Sequence, residues 1–202
     1  MYEYSISRID LSEGPLPPTR RLTDFEQILI GLIVAGRSSG YDLKRFFTST
    51  PAVVYEPSSG AIYPALRRLE HRGLLRSELA VSAGKREQRR YHASEAGREA
   101  HGLWLRAPLD PATVGRDLGL HLMRFAMAER ELSADEVLTF LDGLADALEA
   151  FVSDMETFVR DTLLPGRHPA LAVEHGLAVH RASLSWARSA RTRLAGVSDL
   201  PA

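Results

Sequence analysis

Apolar residues recur every three to four positions through the first third of the chain, and this period predicts helices. Thr23 and Glu26 have the spacing of a capping box, so a helix is predicted to begin there and to end near Gly36. A second short helix is predicted over GYDLKRFF, residues 40–47, and a third over PSSGAIYPALRRLEHRG, residues 57–73. The residues predicted to face inward are Ile28, Leu29, Leu32, Ile33, Leu43, Phe46, Phe47, Ala61, Ile62, Leu66 and Leu69.

After the third helix the period shortens, and two extended runs replace the helical pattern. The runs LLRSELAV and QRRYHAS, residues 74–81 and 88–94, flank the basic tip SAGKRE, which predicts a β-hairpin. SEAGREAHGLWLR, residues 94–106, is again helical in pattern. This order of elements predicts a winged helix-turn-helix domain over residues 22–106. Residues 1–21, polar and rich in proline toward their end, are predicted to form an N-terminal arm.

The second half of the chain, residues 107–202, is predicted to be helical. DLGLHLMRFAMAE, residues 117–129, is one short apolar helix, and Ser133 with Glu136 begins a longer helix with a second capping box. Along it, apolar residues recur in a heptad seam: Val137, Leu141, Leu144, Leu148, Phe151, Met155 and Phe158. LLPGRHP ends this helix, and residues 170–194 are predicted to form the last one. Either the last helix or a second subunit covers the seam, and a twofold DNA site favours the second subunit.

The predicted fold class is therefore mainly α with a small β-hairpin, a winged helix-turn-helix domain joined to a C-terminal helical dimerisation domain. The chain has 202 residues, 45% of them hydrophobic, which suits a globular protein with a real core. Its longest apolar runs are too short to span a membrane, and the N-terminus lacks the order of a signal peptide. With no cysteine, the chain has neither disulfides nor thiolate metal sites, and a cytoplasmic location is expected.

Charge is unevenly distributed, although the formal net charge is only −1. Residues 58–92 hold eight basic residues against three acidic ones, and residues 167–195 hold five against one. Residues 131–164 instead hold nine acidic residues and a single basic one. A basic surface in the first half indicates a nucleic-acid partner, whereas the opposite charges of the second half can face each other. A solvated charged face is the alternative for any one of these blocks.

The third helix has the residues that a DNA-recognition helix needs near its start. Ser58 and Ser59 are predicted to cap it or to bind phosphate, and Gly60 lets the backbone approach closely. Tyr63 and Arg67 are four residues apart and therefore share an exposed face, where arginine can read guanine or contact phosphate. Pro64 is tolerated because it lies near the start of the helix. The further predicted DNA contacts are Tyr41, Lys44, Arg68, Lys85, Arg86, Arg89 and Arg90.

Three motifs in the first half of the chain are specific: the pair Gly40-Tyr41, the run SGAIYPAL at 59–66, and the wing strand RYH at 90–92. Through them residues 22–105 resemble the PadR family of bacterial transcriptional regulators. The resemblance implies a homodimeric winged-helix protein that binds double-stranded DNA, usually as a repressor. It also assigns DNA contact to the recognition-helix and wing residues named above. The long C-terminal half resembles the subgroup that includes the virulence-activator type.

Members of this family take small aromatic or hydrophobic molecules, so an effector is a candidate partner. The candidate pocket residues are Trp104, Trp186, Met123 and Met127, although buried tryptophans and helical methionines are more often core. The seven histidines include no pair four residues apart, so no metal site and no catalytic cluster is expected, and the chain is not predicted to be an enzyme. The alternative function is a protein-interaction or ligand-sequestering module that has lost DNA binding.

Overall fold

The computed structural model describes residues 21–49, 60–80, 88–162 and 166–198. Its elements are α1 (Asp24–Val34), α2 (Gly40–Ser49), α3 (Ile62–His71), β1 (Leu75–Ala80), β2 (Gln88–Ala93), α4 (Glu95–Arg106), α5 (Leu118–Ala128), α6 (Ala134–Asp161) and α7 (Arg167–Ser198). The predicted fold class is confirmed, since the described residues are mainly helical and include an antiparallel β-hairpin in a winged-helix arrangement. Outside the described residues lie the predicted arm up to residue 20, Ser58, Ser59 and the hairpin tip with Lys85 and Arg86.

Local sequence signals set several of the helix ends. The capping box at the start of α1 is formed, since the Thr23 side chain accepts from the Glu26 N–H and the Glu26 side chain accepts from the Thr23 N–H. Gly73 ends α3 with a φ of 71°. The Gly73 N–H donates to the Glu70 carbonyl, and the Leu74 N–H donates to the Leu69 carbonyl. These two bonds make a Schellman motif, which needs a residue without a side chain at the left-handed position.

The N-cap position of α3 is Ala61, whose side chain makes no capping bond, and Ser58 and Ser59, predicted to cap the helix or bind phosphate, lie outside the described residues. Helix α3 therefore begins later than the paired serines suggest. This later start places Pro64 third in the helix. Its missing N–H is one of the groups that have no acceptor inside the first turn, so the proline fits there without breaking the helix.

The core of the winged-helix half is formed by α1, α2, α3 and the first strand. Ile28, Leu29, Leu43, Leu66 and Leu69 are fully buried in it. The two strands pair antiparallel with Leu75 opposite Ala93. Strand β2 is also tied to the turn before α2, because the Tyr91 N–H donates to the Ser38 carbonyl over 2.6 Å. The wing is therefore fixed along its β2 edge to the turn between α1 and α2.

Arg124 connects the two halves of the chain. It projects from α5, which was predicted only as an apolar helix, and its side chain is buried. One guanidinium nitrogen lies 3.0 Å from the Trp104 and Leu105 carbonyl oxygens and 2.5 Å from that of Ala107. These carbonyls are at the C-terminal end of α4, where a cation satisfies free acceptors and the negative end of the helix dipole.

Helices α6 and α7 form an antiparallel hairpin within the chain. Leu141, Leu144 and Leu148 of the predicted seam are fully buried, whereas Phe158 is 50% exposed. The remaining seam residues, Val137, Phe151 and Met155, are half-buried. Three ion pairs join the acidic and basic blocks across the hairpin: Asp142–Arg191, Glu149–Arg188 and Glu156–Arg181. The opposite charges of the second half thus meet inside one subunit.

Among the residues described, no helix combines the length and apolar character needed to cross a bilayer.

Candidate nucleic-acid interface

Tyr63 lies on the exposed face of α3 and rests against the start of α2. Its side chain is 48% exposed. A Cβ atom at Gly40 would lie 2.5 Å from Cε1 of the Tyr63 ring, so the ring occupies the space that any side chain at residue 40 would need. This contact gives a physical reason for the glycine of the Gly40-Tyr41 pair. It also brings the beginnings of α2 and α3 together, so that the exposed Tyr41 and Lys44 lie on the element beside Tyr63.

The two arginines of α3 have different surroundings. Arg67 is exposed and makes no salt bridge with any residue that the structure describes. Arg68 instead donates from Nε to Glu26 Oε1 over 3.0 Å. Burial would raise the pKa of Glu26, but the Thr23 backbone N–H and the Arg68 guanidinium outweigh it, so the pKa lies below its usual value. Arg68 thus compensates a buried carboxylate, and Arg67 is left with its guanidinium open to solvent.

Each of the two wing arginines of β2 makes one long hydrogen bond to another side chain of the protein. Arg89 donates from Nη1 to Glu70 Oε2 over 3.3 Å, and Arg90 donates from Nη1 to Ser38 Oγ over 3.3 Å. Both side chains remain exposed. Such long and solvated contacts hold the side chains only weakly, so they can exchange for a phosphate.

Glu26, Glu70 and Ser38 are the partners that sequence reasoning missed. A local signal existed for Glu26, which was identified as the capping-box residue but not as a partner of Arg68. Glu70 stands out as the acidic residue of α3, three positions after Arg67, yet nothing in the sequence shows that it reaches the wing. In each case the partner and its arginine belong to different elements of the fold, so the contact cannot be read from neighbouring residues in the sequence.

The candidate pocket residues do not meet in one cavity. Trp104 lies at a cleft of about 650 Å³ between α1, α4 and α5, where its Nε1 donates to Asp24 Oδ1 over 3.0 Å. Met123 and Met127 line a separate cavity of about 280 Å³. Trp186 packs edge-on against Phe125 with ring centroids 5.5 Å apart. Only Trp104 therefore borders the larger cleft.

Several buried side-chain atoms of the residues around these two cavities have no hydrogen-bond partner among the described residues. Around the larger cleft these atoms are Gln27 Oε1, Arg124 Nε and both ring nitrogens of His121. His101 lines the smaller cavity, and burial of its ring lowers its pKa to about 4. No group of three or more His, Cys, Asp or Glu in the described part of the chain is placed to hold a metal. The unpartnered atoms are closed to solvent, so a molecule in the larger cleft could not contact them without a movement of the side chains.

Residues 29–110 match the transcriptional regulator PadR-like family. A probable transcriptional regulator of Mycobacterium tuberculosis is 30% identical over 41% of this chain and 44% of its own length. The negative transcriptional regulator PadR of Bacillus subtilis is 25% identical over 53% of this chain and 59% of its own length. This chain thus spans about half of each curated relative. The crystal structure of Bacillus subtilis PadR in complex with operator DNA is 20% identical and aligns with 85% of this chain and 99% of its own, with a TM-score of 0.42.

Proposed function

We propose that the chain is a cytoplasmic repressor that binds an inverted-repeat operator as a homodimer, because residues 29–110 match the PadR-like family of transcriptional regulators. The observation that carries the proposal is the exposed pair Tyr63 and Arg67 on one face of α3. Tyr63 lies in the first turn of this helix and Arg67 one turn further on, and the N-terminal part of the recognition helix meets base edges in a helix-turn-helix complex. A regulator of this class is not an enzyme.

Tyr63 and Arg67 have complementary roles in this proposal. The Tyr63 hydroxyl can donate to a phosphate while its ring packs on sugar or a thymine methyl, and the ring is already held by Gly40. Arg67 has no competing salt bridge among the described residues, so its guanidinium can form a bidentate contact with guanine or grip a phosphate. The wing arginines Arg89 and Arg90 would follow the flanking backbone.

DNA binding is tested by titrating the purified protein with DNA from upstream of its own gene over a series of salt concentrations. We expect binding that weakens steeply with salt, because phosphate contacts release counterions. Arg67→Ala should weaken binding by about 10- to 100-fold, the loss of one good base contact of about 1–3 kcal/mol. Arg98→Ala, which removes an exposed arginine of α4, is the matched control and should bind like wild type.

Two results would contradict the proposal. If the wild-type protein binds its upstream DNA no more tightly than competitor DNA, the alternative function is favoured, a protein-interaction or ligand-sequestering module. If the variants Tyr63→Ala and Arg67→Ala bind like wild type, α3 does not contact the DNA.

The exposed end of the α6–α7 hairpin supports dimerisation there. Phe158 and Val159 of α6 are 50% and 41% exposed, and Leu171 of α7 is 59% exposed. Exposed apolar side chains grouped at one end of a hairpin are typical of an interaction surface. Since the middle of the seam is already buried within the chain, the proposed contact with a second copy lies at this end and not along the whole seam.

The double variant Phe158→Asp/Leu171→Asp is expected to be monomeric, because a dimer would bury both carboxylates without partners. Sedimentation should give the monomer mass at concentrations where wild type is a dimer, and operator affinity should fall because paired half-sites are lost. Leu103→Asp places a carboxylate at a leucine of α4 that is 65% exposed and should remain dimeric. A double variant that remains dimeric would place the interface elsewhere.

The cleft beside Trp104 is the proposed effector site. Its lining combines the Trp104 ring and Leu120 with the carboxylates of Asp24 and Asp117, which suits a small molecule with an apolar body and a polar group. Because the cleft lies between α1, α4 and α5, a bound molecule would alter the angle between the winged-helix half and the C-terminal helices. A changed angle would alter the spacing of the two recognition helices and release the operator.

A further inference from the structure

A single carboxylate on α3 reaches both strands of the wing. Glu70 Oε1 accepts a hydrogen bond from the Ser77 hydroxyl of β1, and Oε2 accepts one from Arg89 of β2 over 3.3 Å. The Glu70 side chain is 30% exposed and that of Arg89 is 52% exposed, so water reaches the ion pair. The recognition helix therefore carries a negative charge on the side where it meets the wing.

This charge belongs to the proposed DNA-binding surface and not to a remote one. Burial raises the pKa of Tyr91, and the charges of Arg89, Glu70 and Arg67 all act on its hydroxyl. Arg67 is three residues before Glu70 in α3, so the two side chains are neighbours on the helix surface. Arg67 and Arg89 are proposed DNA contacts, and Glu70 lies between them in sequence and beside both in space.

We propose that Glu70 is a positioning residue that competes with DNA phosphate for Arg89 and thereby limits the affinity of the protein for DNA. The inference rests on the proposed function, since it names a regulator of that same surface. In the free protein the carboxylate holds Arg89. When the protein binds DNA, a phosphate must either share Arg89 with Glu70 or displace the Glu70 carboxylate from it.

The physical balance favours an exchange of partners. An exposed ion pair contributes little to stability, so a phosphate can replace Glu70 at a small cost. Breaking the ion pair nevertheless costs some free energy on every DNA whose phosphate Arg89 contacts, and this cost opposes binding. Phosphate contacts carry no sequence information, so this opposition acts equally on operator and non-specific DNA. Glu70 therefore lowers the occupancy of non-specific sites without changing which sequence is preferred.

The test compares Glu70→Gln with wild type on operator DNA and on non-specific DNA across a salt series. Glutamine keeps the size of the side chain and an acceptor for Ser77 but removes the charge. We expect binding to tighten by about two- to fivefold at low salt on both DNAs, the range that corresponds to an exposed ion pair. Because Arg89 would then neutralise a phosphate fully, the slope of log K against log salt should steepen by up to about 0.9.

Two controls separate this competition from general effects of charge or folding. Glu99→Gln removes the same charge from an exposed position of α4 and should leave affinity and slope unchanged. In an Arg89→Gln background, Glu70→Gln should give no gain, because the two residues are coupled only if they act on each other. Melting temperatures of all variants establish that each is folded at the temperature of the binding assay.

The outcomes distinguish this inference from the proposed function. If wild type fails to bind DNA, the proposed function is wrong and the inference falls with it. If wild type binds but Glu70→Gln has the same affinity and slope, or binds more weakly because the wing has lost its anchor, only the inference is overturned. A gain that persists in the Arg89→Gln background would also overturn it, because Glu70 would then act by direct repulsion.

Discussion

Replacing Gly97 by alanine is expected to destabilise the winged-helix half of the chain by at least about 3 kcal/mol, a large loss for the addition of one methyl group. An added Cβ would overlap the Leu74 carbonyl oxygen and lie 3.1 Å from the carbonyl carbon. Both atoms belong to the backbone, so no side-chain rotation can relieve the overlap. Relief requires α4 to move away from the turn that joins α3 to β1.

The surroundings of Gly97 make such a movement costly. Ser94, the N-cap of α4, accepts from the Gly97 N–H over 3.1 Å and donates from Oγ to the Gly73 carbonyl over 2.7 Å. The Ser94 N–H also donates to the Leu74 carbonyl over 3.0 Å. A shift of α4 would break these bonds together, and it would disturb the Schellman turn at Gly73, which depends on the same short segment.

Urea denaturation followed by circular dichroism measures this effect, with Gly196→Ala as the matched control. Gly196 is also helical, but a Cβ there meets nothing within 4 Å. Alanine at residue 196 should therefore be neutral or stabilise the chain by up to about 1 kcal/mol through its helix propensity. A Gly97→Ala protein whose free energy of unfolding stays within about 1 kcal/mol of wild type would mean that α4 packs on the turn less closely than the structure indicates.

The sequence predicts the elements of this fold well where the signals are local. Thr23 with Glu26, and Ser133 with Glu136, are capping boxes separated by three residues, and both are formed. The shorter period after residue 73 correctly predicts the wing strands. Such signals need no knowledge of tertiary structure, because the groups that satisfy each other are neighbours in the chain.

Contacts between distant residues are the part that could not be predicted. Arg68 resembles a DNA contact in sequence, but it binds Glu26, 42 positions away. Phe158 continues a regular seam, yet the structure leaves it half exposed at the end of the hairpin. Periodicity identifies an apolar face but not the partner that covers it, and charge identifies a basic helix but not which arginine is already paired.

Arg124→Met is the second substitution expected to have a large effect, since Arg124 is a buried arginine inside a helix that reads as apolar. Burial lowers the pKa of Arg124, and the Asp24 carboxylate acts in the opposite direction. Methionine fills similar space but donates nothing, so the carbonyls of Trp104, Leu105 and Ala107 would lose their common donor. Leaving these acceptors without a charged partner should destabilise the protein by about 2–4 kcal/mol.

The predicted loss has a structural signature, because Arg124 is the link between α5 and the end of α4. Without it, the α4 C-terminus should exchange its amide hydrogens faster, while the α6–α7 hairpin, which has its own buried core, should exchange as in wild type. Hydrogen exchange and urea denaturation measure the two effects. Arg98→Met removes an exposed arginine of α4 and should stay within about 0.5 kcal/mol of wild type. If Arg124→Met matched that control, the capping bonds would contribute nothing, and the junction between the two halves would depend on apolar packing alone.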